Sequence, residues 1–362
     1  MTKKKMWTKE EENLLIDCLN SNLTIGEISK EFLKQYQESQ EGFDQLKTYD
    51  LIKKAIDAIK YKVSSFAKED SDKLWKNIEQ NVEEFKMLSV QKQPNKTDSD
   101  FKKILCFSDL HIPFVMEDEL RKICQENLDA EIVVLNGDIL DGYIFSTYSK
   151  TKKIAAIKEY LAAFNLVRYL SSTFKQVVIV SGNHDARASR ALIYSGLEKE
   201  ATQVFRPDLL ARIANGEELD EEGILINKHC FENVVYQSLD SWYIRVGKTI
   251  FCHPDGFGNS YPGNTAVKLL DHFSQRLDAN EFDSIVVGHT HKQYKGIVSS
   301  KLLIEQGCMS HRLPYQFKAD LKFKNAVNGY AIIIQDKNGN TDFNKSTFMY
   351  LGTHLPVKKE AL

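Results

Sequence analysis

"AEIVVLNGDILDG", residues 130–142, is the stretch on which the fold turns. Ile132 to Leu135 form an unbroken apolar run. A run this short, bounded by polar residues, reads as a buried strand rather than a helix. It stops at Gly137 and delivers Asp138 and Asp141 into the following turn. Loops at the carboxyl ends of strands are where open α/β sheets gather their chemistry. The decisive question is whether other strands end the same way.

Four others do. "KKILCFSDLHIPF" (102–114) ends in Asp109 and His111, and "KQVVIVSGNHD" (175–185) in Asn183, His184 and Asp185. "KTIFCHPDG" (248–256) supplies His253, and "DSIVVGHTH" (283–291) supplies His289 and His291. Five of the nine histidines fall in these motifs. A single histidine after a strand carries little meaning. Five apolar runs, each ending in Asp, Asn or His, point to one shared crevice. Carboxylate, amide and imidazole donors together suit divalent metals such as Mn, Fe, Zn or Ni.

These motifs resemble those of the calcineurin-like metallophosphoesterase family. The family pattern D-x-H, G-D-x-x-D, G-N-H-[DE], H and G-H-x-H stands here as "DLH" (109–111), "GDILD" (137–141), "GNHD" (182–185), His253 and "GHTH" (288–291). The resemblance runs from about residue 103 to 335. It implies a four-layer α/β/β/α sandwich with two divalent metal ions at the strand ends. Manganese is the first expectation, with Fe, Zn or Ni as alternatives. By resemblance, Asp109, His111 and His291 hold one metal. Asn183, His253 and His289 hold the other, and Asp138 bridges the two. The implied reaction is hydrolysis of phosphate esters by a hydroxide bridging the metals. His184 is expected to protonate the leaving oxygen or stabilise the transition state, with Asp185 orienting its ring. Asp141 is expected to fix the geometry of a metal ligand; a plain helix-start role is the alternative.

Departures from the pattern bear on substrate. Protein Ser/Thr phosphatases of this superfamily place Arg after the second Asp of G-D-x-x-D, and here Gly142 stands there. Pro254 follows His253 where a small residue is usual, and Asp255 reads as loop. Arg187 and Arg190, two of only nine arginines, follow the third motif. They are candidates for gripping a phosphate bidentately, or they line a surface helix. Tyr143 is a third candidate of this kind. The 67 residues between Asp185 and His253 exceed a simple crossover. "FRPDLLARIANGEELDEEG" (205–223) reads as helical and "VVYQSLDSWYIRVG" (234–247) as strands, a possible wall or cap for the crevice. The tail "GYAIIIQDKNGNTDF" (329–343) reads as a hairpin turning at Asn338–Gly339 and completing the second sheet.

Residues 1–87 have a different character. Thr8 with Glu11, and Thr24 with Glu27, form capping boxes that open two helices. Ile52, Ala55, Ile56, Ile59, Val63 and Phe66 recur at helical spacing in a third. "WTKEEENLL", "TIGEISKEF" and "AIDAIKYKV" together resemble a Myb-like or SANT-like helix-turn-helix. The resemblance implies that the third helix, with Lys53, Lys54, Lys60 and Lys62, contacts DNA. Residues 1–70 hold 12 lysines against 13 acids, so a helical docking domain with solvated lysines is the other reading. The polar, aperiodic stretch 88–102 reads as a linker, and 103–362 as the metallophosphoesterase domain.

Composition bounds these readings. The chain has 362 residues, 42% hydrophobic and 27% charged, which suits a globular protein of one large or two ordinary domains. The net charge of −2 gives no basic field, so a nucleic-acid partner needs a local patch. No apolar run reaches membrane length, and the start carries no apolar leader core. Six scattered cysteines without a C-x-x-C pair suit reduced thiols in a cytoplasm. The layout also resembles phosphoesterases of bacteriophage genomes, which implies a host cytoplasm. The sequence thus leads to a phosphodiesterase or nuclease acting on nucleic acid. Hydrolysis of a small nucleotide or phosphomonoester is the second reading. A DNA-binding or scaffold protein with a vestigial site is the third.

Overall fold

The computed structural model describes residues 101–146, 154–195, 205–256, 261–313 and 326–353. The helix-turn-helix reading, with Lys53, Lys54, Lys60 and Lys62, lies outside them. The expected linker ends slightly early, because Phe101 and Lys102 already belong to the first strand.

The first sheet has six strands. β1 (Phe101–Phe107), β2 (Ile132–Asn136) and β3 (Gln176–Val180) run parallel at its centre. β6 (Val234–Tyr236) extends one edge, and β12 (Val327–Asp336) with β13 (Thr347–Thr353) the other. The second sheet holds β7 (Tyr243–Val246), β8 (Thr249–Cys252), β9 (Ser284–Val287), β10 (Gln293–Val298) and β11 (Lys301–Gln306), in the order β10-β11-β9-β8-β7. β8 and β9 are parallel neighbours. A small ribbon of β4 (Glu217–Leu219) and β5 (Leu225–Lys228) stands apart from both sheets. The helices are α1 (Glu117–Glu126), α2 (Ala156–Thr173), α3 (Arg187–Tyr194), α4 (Leu209–Ala214) and α5 (Asn264–Ser274).

The continuous apolar runs make sense once both faces of each strand are covered. Side chains alternate between faces along a strand. Leu105, Phe107, Val133, Leu135, Val177 and Ile179 point to one face of the first sheet, where Leu120 of α1, Phe164 of α2 and Leu210 of α4 meet them. Their neighbours Ile104, Cys106, Ile132, Val134, Val178 and Val180 point the other way, against Phe251, Val286, Leu302 and Ile304 of the second sheet. Ile250, Cys252, Ile285 and Val287 turn outward to Leu269 and Phe273 of α5. The layers are helix, sheet, sheet, helix, as the motifs implied.

Two local expectations change. The tail hairpin does turn at Gly339, whose N–H donates to Asp336 O at 2.9 Å. β12, however, pairs with β1, from Phe101 opposite Asp336 to Cys106 opposite Ala331. It therefore completes the first sheet, where the open edge of β1 offered unpaired backbone and Ala331 and Ile333 join the inter-sheet core. In the insert, the helix expected over 205–223 is confined to Leu209–Ala214, capped by Asp208, whose Oδ1 accepts from Ala211 N at 2.9 Å. The β4–β5 ribbon follows and packs on α2. Tyr160 donates its hydroxyl to Glu217 O at 2.5 Å, and the Phe164 and His229 rings lie 5.4 Å apart. The later crossing runs beside the polar loop that carries His253: Trp242 O accepts from His253 N at 2.8 Å.

Phe251 is fully buried between the sheets, near the end of β8. Phe251→Ala is expected to lower unfolding stability by about 3–5 kcal/mol, read from the urea midpoint.

Candidate metal centre

All five polar strand ends meet at one edge of the sandwich. The loops are stitched by backbone: Asp109 N donates to Gly137 O (3.0 Å), His111 N to Asp138 O (2.9 Å) and Gly288 N to Cys252 O (3.0 Å). Asp109, His111, Asp138, His289 and His291 all have left-handed backbone, with φ between 46° and 70°. Only three other described non-glycine residues do so. Such residues cost roughly 1–3 kcal/mol each and persist where the surroundings over-determine them, often at functional sites. Two glycines make the close approach possible. A Cβ on Gly137 (φ +82°) would overlap the His253 ring, and one on Gly182 would overlap the Asp138 carboxylate.

The two central carboxylates are each half occupied. Asp109 Oδ2 accepts from His289 N at 2.9 Å and from the Ser108 hydroxyl. Asp138 Oδ1 accepts from His184 N at 2.8 Å. The remaining oxygens face the histidines. Asp109 Oδ1 lies 3.1 Å from His291 Nε2, and Asp138 Oδ2 lies 3.2 Å from His253 Nε2. His111 Nε2 sits 3.2 Å from His291 Nε2 and 3.9 Å from both Asp109 Oδ1 and Asp138 Oδ2. The His253 ring is turned by its other nitrogen, since Nδ1 donates to Asn136 O at 2.8 Å.

These donors fit cations better than they fit each other. Asp109 Oδ1, Asn183 Oδ1 and His253 Nε2 are buried and form no hydrogen bond of acceptable geometry. Buried polar atoms are nearly always satisfied, so orphans call for an explanation such as an ion. The groups fall into Asp109–His111–His291, His111–Asp138–His184 and Asp138–His253–His289, each with its ligand atoms within 4.8 Å of one another. The donor set could hold two divalent cations with Asp138 between them, Asn183 Oδ1 adding an amide oxygen.

Electrostatics favours the ligand form of Asp109, Asp138, His111 and His289, whereas His253 and His291 are raised towards the protonated form. Burial alone would raise the Asp109 carboxyl, but His291 and His253 hold it well below the usual carboxylate range. Asp138 is likewise held low against its burial, by His253 and His184. Burial and the neighbouring His184 push His111 down to about 4, and burial with His253 does the same for His289. His253 moves the other way: burial lowers it, but Asp138 and Asp109 lift it to about 9.

Around this centre the expected roles shift. Asp185 does not orient His184. Its oxygens accept from Leu140 N and Gly182 N, both at 2.8 Å, so it ties the second loop to the third. Burial, and then the charge of Asp138, push its carboxyl up to about 7. Adjacent side chains diverge, and the His184 ring instead faces Asp141, with Nδ1 3.0 Å from Oδ1. The same oxygen lies 3.2 Å from His111 Nδ1. Arg187 reaches across Gly142 to this pair: Nη1 donates to Asp141 O (2.7 Å) and Nη2 lies 3.0 Å from His184 Nε2. Arg190 pairs with Asp255 at 2.6 Å, on the exposed loop after His253. Tyr143 is turned inward, 4% exposed and edge-on to Phe114, so it does not face the crevice.

Some supporting residues carried no sequence signal. Glu159, on the first turn of α2, accepts from Gly142 N (2.8 Å) and Tyr143 N (2.9 Å) and so holds the loop bearing Asp141. Glu305, buried on β11, accepts from Thr290 Oγ1 at 3.3 Å, between His289 and His291. Ser108 and Asn136 stand next to motif residues, and proximity to the motifs was the only available hint.

No curated protein matches this chain. Among solved structures, it is similar to vacuolar protein sorting 29 from Cryptosporidium parvum, at 16% identity over 70% of this chain and 98% of that one, TM-score 0.34. A novel archaeal phosphodiesterase shows 15% identity over 69% and 99%, TM-score 0.32. Zinc-bound Vps29 from Entamoeba histolytica shows 12% over 68% and 98%, TM-score 0.32. At these values the likenesses bear on neither activity nor substrate. The family profile does decide: residues 102–293 match that of calcineurin-like phosphoesterases, and this chain belongs to that family.

Proposed function

We propose that this chain is a metal-dependent phosphodiesterase that acts on nucleic acid. The observation that carries the hydrolytic reading is the set of buried atoms Asp109 Oδ1, Asn183 Oδ1 and His253 Nε2 without a hydrogen-bond partner, beside the ligand groups Asp109–His111–His291 and Asp138–His253–His289. Two divalent cations bound there would activate water and neutralise charge on the phosphoryl oxygens. The nucleic-acid reading draws its support from the helix-turn-helix pattern of the first 87 residues.

The protein groups divide the remaining work. Asp109, His111 and His291 would hold one cation, Asn183, His253 and His289 the other, and Asp138 both. Asp141 fixes the rings of His111 and His184 from behind. With Arg187 donating to His184 Nε2, the imidazole proton sits on Nδ1, towards Asp141. For His184 to protonate a leaving oxygen, Arg187 must release Nε2, and Nε2 must then take up a proton from solvent while Nδ1–H stays on Asp141. A phosphoryl oxygen entering the site is the natural acceptor for the freed guanidinium.

Asp138→Ala is expected to lose at least one equivalent of bound metal, by elemental analysis of the purified protein. His184→Ala should keep its metal and turn over about 10²–10⁴-fold more slowly. The manganese-loaded protein should prefer bis-p-nitrophenyl phosphate to p-nitrophenyl phosphate and cleave single- or double-stranded DNA, with chelator abolishing both. A strong monoester preference without DNA cleavage would overturn the nucleic-acid reading and leave a small phosphomonoester as the substrate.

A further inference from the structure

Three imidazoles at the metal centre have an oxygen behind them. His111 Nδ1 lies 3.2 Å from Asp141 Oδ1, and His184 Nδ1 lies 3.0 Å from the same atom. His253 Nδ1 donates to Asn136 O at 2.8 Å. His291 is held differently. Its Nε2 faces the cleft, 3.1 Å from Asp109 Oδ1 and 3.2 Å from His111 Nε2. The ring is also hydrogen-bonded to the side chain of Cys308, a fully buried residue just past the end of β11. The two nitrogens of an imidazole point in diverging directions, so Nδ1 is the one left for the sulfur.

The sulfur is itself fixed. Cys308 Sγ donates to Val327 O at 3.4 Å, and Asn328 Nδ2 approaches the sulfur at 3.7 Å. Val327 N in turn donates to His291 O at 2.8 Å, so side chain and backbone of His291 are fastened to the same place. Gly307 (φ +86°) allows the close approach, since a Cβ there would come within 2.8 Å of Val327 O. With the thiol proton directed at Val327 O, the sulfur is left as an acceptor. It takes the Nδ1–H of His291, which keeps the Nε2 lone pair for a cation.

We propose that Cys308 is a positioning residue for the metal centre: its sulfur sets the ring direction and tautomer of His291, and through them the affinity for the cation shared with Asp109 and His111. The assignment rests on the metal-centre reading above. A partner behind a metal-binding imidazole is worth about 10–100-fold in metal affinity.

Manganese binding to the full chain, measured by titration calorimetry after chelator treatment, tests this. The wild-type chain should take up two equivalents. Cys308→Ala should bind one of them about 10–100-fold more weakly and keep the other. Cys308→Ser, which retains a donor and an acceptor, should recover most of the loss. Cys124→Ala, at a fully buried cysteine of α1, should lower the melting temperature of the metal-free protein without changing either affinity. Wild-type affinities in Cys308→Ala would overturn the assignment. So would a serine variant no better than the alanine one, or an equal loss in Cys124→Ala. Should Cys308→Ala fail to fold, the ring ¹⁵N shifts of the zinc-loaded wild-type chain decide. A proton on His291 Nδ1 supports the assignment, and metal bound through Nδ1 overturns it. A wild-type chain that binds no manganese would instead overturn the metal centre itself, and this assignment with it.

Discussion

Asp109 and Asp138 each give one carboxylate oxygen to a backbone N–H and keep the other for the cleft. The N–H groups come from His289 and His184, so each acid is fixed by a loop that itself carries a functional histidine. A rotating carboxylate would blur the position of any bound cation. Pinning one oxygen leaves the other a single direction, towards the imidazoles. Both sheets are needed for this, because Asp109 ends a strand of the first and His289 follows a strand of the second.

The loops accept an unfavourable backbone to achieve that convergence. Left-handed φ at five of the donors is opposed by the stability of the sandwich beneath them. The layers below are apolar, with strands buried on both faces. Rigidity in the core and strain at the rim are two sides of one arrangement. Glu159 and Glu305 serve the same end, each a buried acid that fastens a loop from behind.

How much of this was readable in advance follows from chain distance. Asp109, His111, Asp138, Asn183, His253, His289 and His291 each sit within a few residues of a strand end, so a local pattern was enough to find them. Asp185 was misjudged because it neighbours His184 in sequence, whereas consecutive side chains diverge. The true partner, Asp141, lies 43 residues away. Tyr143 follows the second motif directly in sequence, but its ring is buried edge-on against Phe114. β12 was assigned to the wrong sheet because strand pairing across more than two hundred residues leaves no local trace.

The sequence by itself determined that short apolar strands would end in side chains able to bind metal, since apolar runs and residue chemistry are local properties. It also determined the family, through motifs whose spacing within each loop is short. Only the tertiary structure decided which oxygen of each acid remained free and which acid stood behind His184. It alone showed that Arg187 fills the space above Gly142 and that Cys308 stands behind His291. Those outcomes depend on which loops the folded sheets bring within three ångströms of one another. That is a property of packing between segments far apart in the chain.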